Sequence, residues 1–345
     1  MAEARGLASA KRFWKAVSKG YPIIQRIPEQ TSQERTAYSS DFLYTLTTDR
    51  LRMDAFRRAV ARFRAHRVLE IGCGPWTPLV DLCLQSGASK VVAVEACATH
   101  AELARRRLKD AEAVQVINGR AADLPSEVLL AGLGGPPQLI VSELLGYTAS
   151  EEGAPAILLD LQRRLGPTQV VPRAASSWML PVRPLELSSW HCLKNWLLHG
   201  GWPSRLQPGL YDCRNFPESL ELAAPQKWEE FDFTCAETLE AQLQQECHLS
   251  FTLPAGTEVG GVLLFMRADL CPGVDLDTRR DETSWNHYLL QLPPQRVGES
   301  GTLVVSVAVD ARSEDVRYRF EVPVFDPDPA VPGLANKNMR MSNLE

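Results

Sequence analysis

Apolar positions along this chain fall into two regimes, and the change between them lies near Pro172. Over 41–67, leucine, alanine and arginine recur without glycine or proline, which predicts a helix. Short apolar runs then alternate with amphipathic ones. Arg67–Ile71 reads as a strand ending in the turn Gly72-Cys73-Gly74. Thr77 and Pro78 read as the N-cap and first residue of a helix reaching Gln85, with Gly87 as its stop. Strands at 90–94 and 114–117 flank a helix at 98–109. A linker containing Gly134-Gly135-Pro136-Pro137 leads to the strand Leu139–Ser142, a helix at 155–165 and the strand Gln169–Val171. Strands separated by helices at this spacing predict a parallel sheet covered on both faces.

Beyond Pro172, apolar runs at 231–233, 262–266, 288–292, 302–309 and 316–322 follow one another without helices, which predicts a β-rich unit. The chain therefore divides into an N-terminal helical segment at 1–60, a Rossmann-like α/β domain at 61–172, a β-rich, β-barrel-like domain at 173–330 and a tail at 331–345. Trp190, Trp196, Trp202 and Trp228 lie among prolines and glycines, so 190–228 is a candidate arm for docking on a partner. Aromatic anchors within the same chain are the equal alternative.

Composition narrows the classes. A net charge of −5 weighs against a sequence-independent nucleic-acid binder, and no direct nucleic-acid contact is expected. The eight cysteines form no C-x-x-C pair and match no zinc spacing with the six histidines. No metal is expected, and a reducing compartment follows, cytoplasmic or also nuclear. Residues 1–21 lack the apolar core of a secretory leader, and no run is long enough to span a membrane.

Candidate chemistry begins at Glu70-Ile71-Gly72-Cys73-Gly74, where glycines after a strand let a ligand approach backbone amides and a helix N-terminus. The next strand ends in Glu95, about twenty residues on, where a carboxylate accepts from both hydroxyls of a ribose. Together these indicate an adenosine-containing cofactor without saying which one.

Further motifs carry a resemblance. The runs Val68 to Gly74 and Ser86 to Glu95, then Val116-Ile117-Asn118-Gly119-Arg120, Val141-Ser142-Glu143-Leu144-Leu145-Gly146-Tyr147 with Glu152, Leu165-Gly166-Pro167 to Pro172, and Thr283-Ser284-Trp285 are similar, in order and spacing, to the motifs of protein arginine methyltransferases. The match covers about 45–322. It implies a class I methyltransferase domain followed by a substrate and dimerisation domain, with S-adenosyl-L-methionine as cofactor and an arginine-containing protein or peptide as substrate. By the same resemblance, Gly72 and Gly74 lie against the methionine part of the cofactor, Glu95 holds the ribose, and Ala121 lies at the adenine edge. Asp49-Arg50-Leu51-Arg52 resembles the family's D-x-x-R helix, so Arg52 pairs with the cofactor carboxylate. Glu143 and Glu152 are the catalytic pair, and Trp285 closes the arginine pocket. The family also implies a homodimer, or a heteromer with another methyltransferase.

Two carboxylates suit that task. A guanidinium is always charged, its lone pairs are delocalised, and it is a poor nucleophile. Paired, charge-assisted hydrogen bonds hold it and draw positive charge onto the bound nitrogens. Glu143 follows an apolar strand, at the end of the sheet where ligands bind. Glu151 competes with Glu152, although it reads more simply as a solvated loop charge. Tyr38 and Tyr44 are further candidates for the substrate side.

Several positions depart from the family pattern. Trp76 replaces a third glycine, Ser284 replaces a histidine, and Leu43 stands where some relatives carry a histidine. The N-terminal tyrosine-rich motif is not evident. Ala121-Ala122-Asp123 lacks the usual glutamate, leaving Asp123 as a substitute for the adenine amino group. Glu152-Gly153-Ala154 resembles the branch that makes only monomethylarginine. Two alternatives stay open: a catalytically weak or inactive homologue that activates a partner enzyme, and a small-molecule guanidine or amine N-methyltransferase.

Overall fold

A computed structural model describes residues 23–27, 40–185 and 206–322. Tyr38, most of the candidate arm's first half and the 331–345 tail lie outside the described residues. The first described element is a strand, β1 (Ile23–Arg26), followed by helices α1 (Ser40–Thr47) and α2 (Arg50–Phe63). The single helix expected over 41–67 is thus two. The Thr47 hydroxyl bonds back to the Tyr44 carbonyl at 2.7 Å. Asp49 turns extended and caps α2, its Oδ1 accepting from the Arg52 amide at 3.1 Å.

On α2 the buried residues are Arg52, Ala55, Phe56, Ala59 and Val60. That spacing is one face of a helix. Arg52 therefore shares its face with the apolar anchors rather than with solvent. Complete burial of a side chain such as Phe56 stabilises by about 1.5–3 kcal/mol and fixes the helix that carries Arg52.

The parallel sheet is built from β2 (Arg67–Ile71), α3 (Pro78–Gln85), β3 (Lys90–Glu95), α4 (Ala98–Arg107), β4 (Val114–Asn118), α5 (Ser126–Leu133), β5 (Leu139–Ser142), α6 (Ala154–Leu165) and β6 (Gln169–Val171). Its order is β4-β3-β2-β5-β6. Chain direction across the sheet reverses beside β2, and in open α/β sheets a ligand crevice lies there at the carboxyl ends. Two local expectations need correcting. Thr77 holds the N-cap position before Pro78 but makes no side-chain capping bond: it takes φ 45° and its hydroxyl accepts from Arg107 at 2.7 Å. The stretch read as a linker contains α5, whose Leu129 and Leu133 are buried and whose end is closed by Gly134 at φ 71°.

The β-rich unit comprises β7 (Ala174–Val182), β8 (Gly209–Arg214), β9 (Gln226–Asp232), α7 (Ala236–Ala241), β10 (Gln244–Thr252), β11 (Glu258–Cys271), β12 (Val274–Asp277), β13 (His287–Arg296), β14 (Thr302–Asp310) and β15 (Arg317–Glu321). One antiparallel sheet runs β1-β8-β13-β11-β7-β9, with β12 on β11, and a second runs β10-β14-β15. Part of the N-terminal segment read as helical is therefore a strand of this unit, pairing Ile23–Arg26 with Arg214 to Tyr211 of β8. One continuous apolar core runs from α2 and the parallel sheet into Trp228, Phe231 and Phe320. Trp228, expected on a docking arm, is 3% exposed and packs edge-on against Tyr318 and Phe320. It is an anchor within the chain. Among the described residues, no helix is long and apolar enough to cross a membrane.

Candidate active site

The carboxyl ends of β2, β3 and β5 bring together residues far apart in sequence. Gly72 has φ 80°, and a Cβ there would lie 2.9 Å from the Leu144 side chain, so this position admits no side chain without displacement. The amides of Gly72 and Cys73 both donate to the Val94 carbonyl, at 2.9 and 3.1 Å. Glu95 closes the turn. Its Oε2 accepts from the Gly74 amide at 2.9 Å and its Oε1 from the Cys97 amide at 2.8 Å. Each oxygen retains acceptor capacity, which suits a pair of vicinal hydroxyls.

The rest of this rim is mixed. Ala121 is buried at the start of a 3₁₀ turn, and its carbonyl accepts from Arg164 at 2.9 Å. Asp123, two residues on, is exposed. The Asn118 amide donates to the carbonyls of Glu95 and Ala96, at 2.9 and 3.1 Å. Trp76 is half-buried and meets Tyr44 of α1 edge-on, with ring centroids 5.1 Å apart.

Arg52 is 5% exposed and forms an ion pair with Glu143. Its Nε and Nη1 are buried without a hydrogen-bond partner. Orphaned donors of this kind are rare in folded chains, and a cation that still has donors to spare suits an anionic guest. Its guanidinium lies 4.7 Å from the centre of the Trp285 ring. Trp285 is 7% exposed, and its indole N–H donates to the Leu145 carbonyl at 3.0 Å, so it is locked onto the loop that follows Glu143. The Ser284 amide donates to Asp49, the cap of α2.

Glu143 has its proton affinity raised by burial. Arg52 pulls against this, while Glu152 and then Asp49 push the same way as burial. Glu152, half-buried, is thus the like charge that acts most strongly on Glu143. A guest cation would relieve that repulsion. Glu151 is not the solvated charge its sequence suggests. It is half-buried, accepts from the Tyr147 amide at 2.8 Å and bonds the Tyr288 hydroxyl. Gly153 is glycine because a Cβ there would sit 2.7 Å from the Cα of Glu314. Backbone crowding explains the small residue.

Sequence reasoning missed one group of residues beside this cluster. Asp212 on β8 accepts from the Tyr147 hydroxyl at 3.2 Å, and Asn286 donates to the same hydroxyl at 3.4 Å. Burial pushes the Asp212 carboxyl up and the Arg214 guanidinium down. No motif marks Asp212; the pairing of β8 with β13 brings it here. Asp49, Glu143, Glu151, Glu152 and Asp212 together outnumber the two guanidiniums, Arg52 and Arg214, that act on them.

No family model matches the chain, and no curated protein matches it in sequence. Solved structures do match. Protein arginine methyltransferase 10 of Arabidopsis thaliana, in an open conformation, has a TM-score of 0.62 at 20% identity, covering 88% of this chain and 97% of that one. The protein arginine methyltransferase 1 enzyme–prozyme heterotetramer of Trypanosoma brucei, with AdoHcy, has a TM-score of 0.59 at 19% identity over 81% and 92%. Protein arginine methyltransferase 6 with SAH has 0.60 at 15% identity over 82% and 99%. The shared feature is the fold: a Rossmann-like parallel sheet followed by antiparallel β-rich sheets.

Proposed function

We propose that the chain is a protein arginine N-methyltransferase that uses S-adenosylmethionine and holds the substrate guanidinium between Glu143 and Glu152. The observation that supports this most is the half-buried carboxylate loop joined to the buried Arg52 at the carboxyl edge of the sheet, with orphaned Arg52 donors beside it. The residues present fit the cofactor. Gly72 and Gly74 leave the backbone bare, Glu95 offers its remaining lone pairs to the ribose, Ala121 borders the adenine, and Arg52 takes the carboxylate. When bound, S-adenosylmethionine supplies an electrophilic methyl group on a sulfonium and retains the electron pair of the broken C–S bond as a neutral thioether.

The protein's part is to position and to neutralise. Glu143 and Glu152 hold two nitrogens of the planar cation and leave electron density on the third. Fixing that nitrogen toward the methyl carbon converts an encounter into an intramolecular step. The methylated nitrogen then gives up its proton to a loop carboxylate or to solvent. Trp285 walls the pocket from the β-rich side, and oligomerisation as a homodimer accompanies the same proposal.

The test is mass spectrometry of an arginine-rich peptide incubated with the full chain and S-adenosylmethionine. Methyl groups on arginine are the expected result, and no transfer to any arginine peptide overturns the proposal. For the cofactor, Glu95→Ala should weaken calorimetric binding by about tenfold or more, since hydrogen bonds to a charged group are lost. An unchanged Kd in a folded variant would remove Glu95 from the site.

A second reading is a catalytically inactive partner of another methyltransferase. Trp76, in place of a small residue beside the glycine turn, favours it, and one structural neighbour is an enzyme–prozyme complex. The isolated chain would then bind no S-adenosylmethionine, and activity would arise only in a heteromer.

A further inference from the structure

Glu229 is a buried carboxylate with no part in the chemistry above. It lies on β9, and its place there depends on a backbone irregularity. Ser177 of β7 pairs with Glu229, yet the next residue, Trp178, pairs with Lys227, so Trp228 is an extra residue in β9. Such a bulge re-aims side chains. Trp228 and Glu229 are consecutive, and both are buried, at 3% and 1% exposure.

Glu229 faces the middle of the loop that carries the candidate catalytic carboxylates. Its Oε1 accepts from the Ser177 hydroxyl at 2.5 Å and the Ala149 amide at 3.1 Å, and its Oε2 accepts from the Ser150 hydroxyl at 2.7 Å. The Ala149 amide also reaches the Ser177 oxygen at 2.8 Å. On the other side, the Tyr318 hydroxyl lies 2.8 Å from the Ser150 oxygen and 2.9 Å from that of Thr148. Since Ser150 spends its proton on Glu229, it accepts from Tyr318, and Tyr318 in turn accepts from Thr148. The hydroxyls of Thr148, Tyr318, Ser150 and Ser177 thus all direct their protons toward one carboxylate. Thr148, Ala149 and Ser150 are all completely buried.

We infer that Glu229 is the positioning residue of the 143–152 loop, anchoring its centre to the β-rich unit so that Glu143 and Glu152 stand at fixed separation. The inference rests on the arginine methyltransferase proposal for its catalytic consequence, but the anchoring itself does not. Burial pushes the Glu229 carboxyl up to about 7, while the hydroxyls of Ser177 and Ser150 and the amides of Ala149 and Ser150 pull it back. A neutral acid or an amide would present an O–H or N–H at one of these positions, against groups that are themselves donors. Glu229→Gln therefore keeps the shape and breaks the cage.

The experiment compares the full chain with Glu229→Gln, Ser150→Ala and the exposed neighbour Glu230→Gln, using S-adenosylmethionine, an arginine-rich peptide and amide hydrogen exchange. For Glu229→Gln, kcat/KM should fall about tenfold or more, as misplaced catalytic groups cost rate steeply. Its cofactor Kd should stay within about threefold, because the glycine turn and Arg52 are untouched. Exchange protection of Ala149 and Ser150 should be lost, while β7 and β11 retain theirs. Ser150→Ala should show the same pattern more weakly, and Glu230→Gln none of it. Wild-type kcat/KM with wild-type protection of Ala149 and Ser150 in Glu229→Gln overturns the inference. If Glu229→Gln fails to fold, Ser150→Ala decides between the same two outcomes. If the wild-type chain transfers no methyl group at all, the proposed function fails by itself, and loop protection alone decides the anchoring.

Discussion

Glu143→Gln should lower methyl transfer to an arginine peptide by about 10²–10³-fold and leave S-adenosylmethionine binding no weaker than in the wild-type chain. Gln keeps the volume and one acceptor oxygen but loses the charge. The guest guanidinium would then be buried against half of its counter-charge, and removing one partner of a buried charged pair is strongly unfavourable. The second half of the expectation follows from the ion pair between Arg52 and Glu143. In the chain without ligand, Glu143 competes with an incoming carboxylate for the same guanidinium. Removing its charge leaves Arg52, which already has two unpartnered nitrogens, freer for the cofactor. Calorimetry with S-adenosylmethionine and peptide mass spectrometry on the same preparation measure both. Unchanged turnover would end the double-glutamate assignment. Lost transfer together with lost cofactor binding would show instead that Glu143 acts through Arg52.

The contrast between Glu143 and Glu229 shows what a sequence can disclose. Glu143 directly follows an apolar parallel strand, where such sheets carry ligands, and the motif resemblance at 141–147 singled it out. Arg52 was legible only through the D-x-x-R resemblance; that it shares a buried face with residues 55, 56, 59 and 60 comes from the structure. The parallel sheet was legible because its strands are near-continuous apolar runs. Glu229 sits between the candidate arm ending at 228 and the apolar run at 231–233, with no local pattern to mark a buried carboxylate. Only the bulge opposite Ser177 turns it inward, and a bulge is a property of the pairing between β7 and β9, not of either strand. Asp212 was hidden for the same kind of reason, since long-range pairing with β13 brings it to Tyr147. β1 was hidden as well. Four residues, Ile23–Arg26, become a strand because β8 offers an edge, not because of their own periodicity.

Glu70→Gln should stabilise the folded chain at pH 8.5 and have little effect at pH 5. Glu70 lies on β2, 1% exposed, with its Oε2 unpartnered. Burial, followed by the charges of Asp81 and Glu95, pushes its carboxyl from 4.5 up to about 8. Between those two values the unfolded chain has released this proton and the folded chain has kept it. The folded state binds more protons, so stability falls as pH rises from about 4.5 to about 8 and then levels off. Each pKa unit corresponds to about 1.4 kcal/mol, so the loss from this one side chain is of order a few kcal/mol. Glu143 and Glu229, both raised mainly by burial, slope the same way. Glutamine is neutral throughout and carries none of this dependence at position 70. Thermal melts of both proteins should coincide within error at pH 5 and separate by about 5 °C at pH 8.5, with the variant higher. Melting curves offset equally at both pH values would show that packing at position 70, rather than its ionisation, sets the difference.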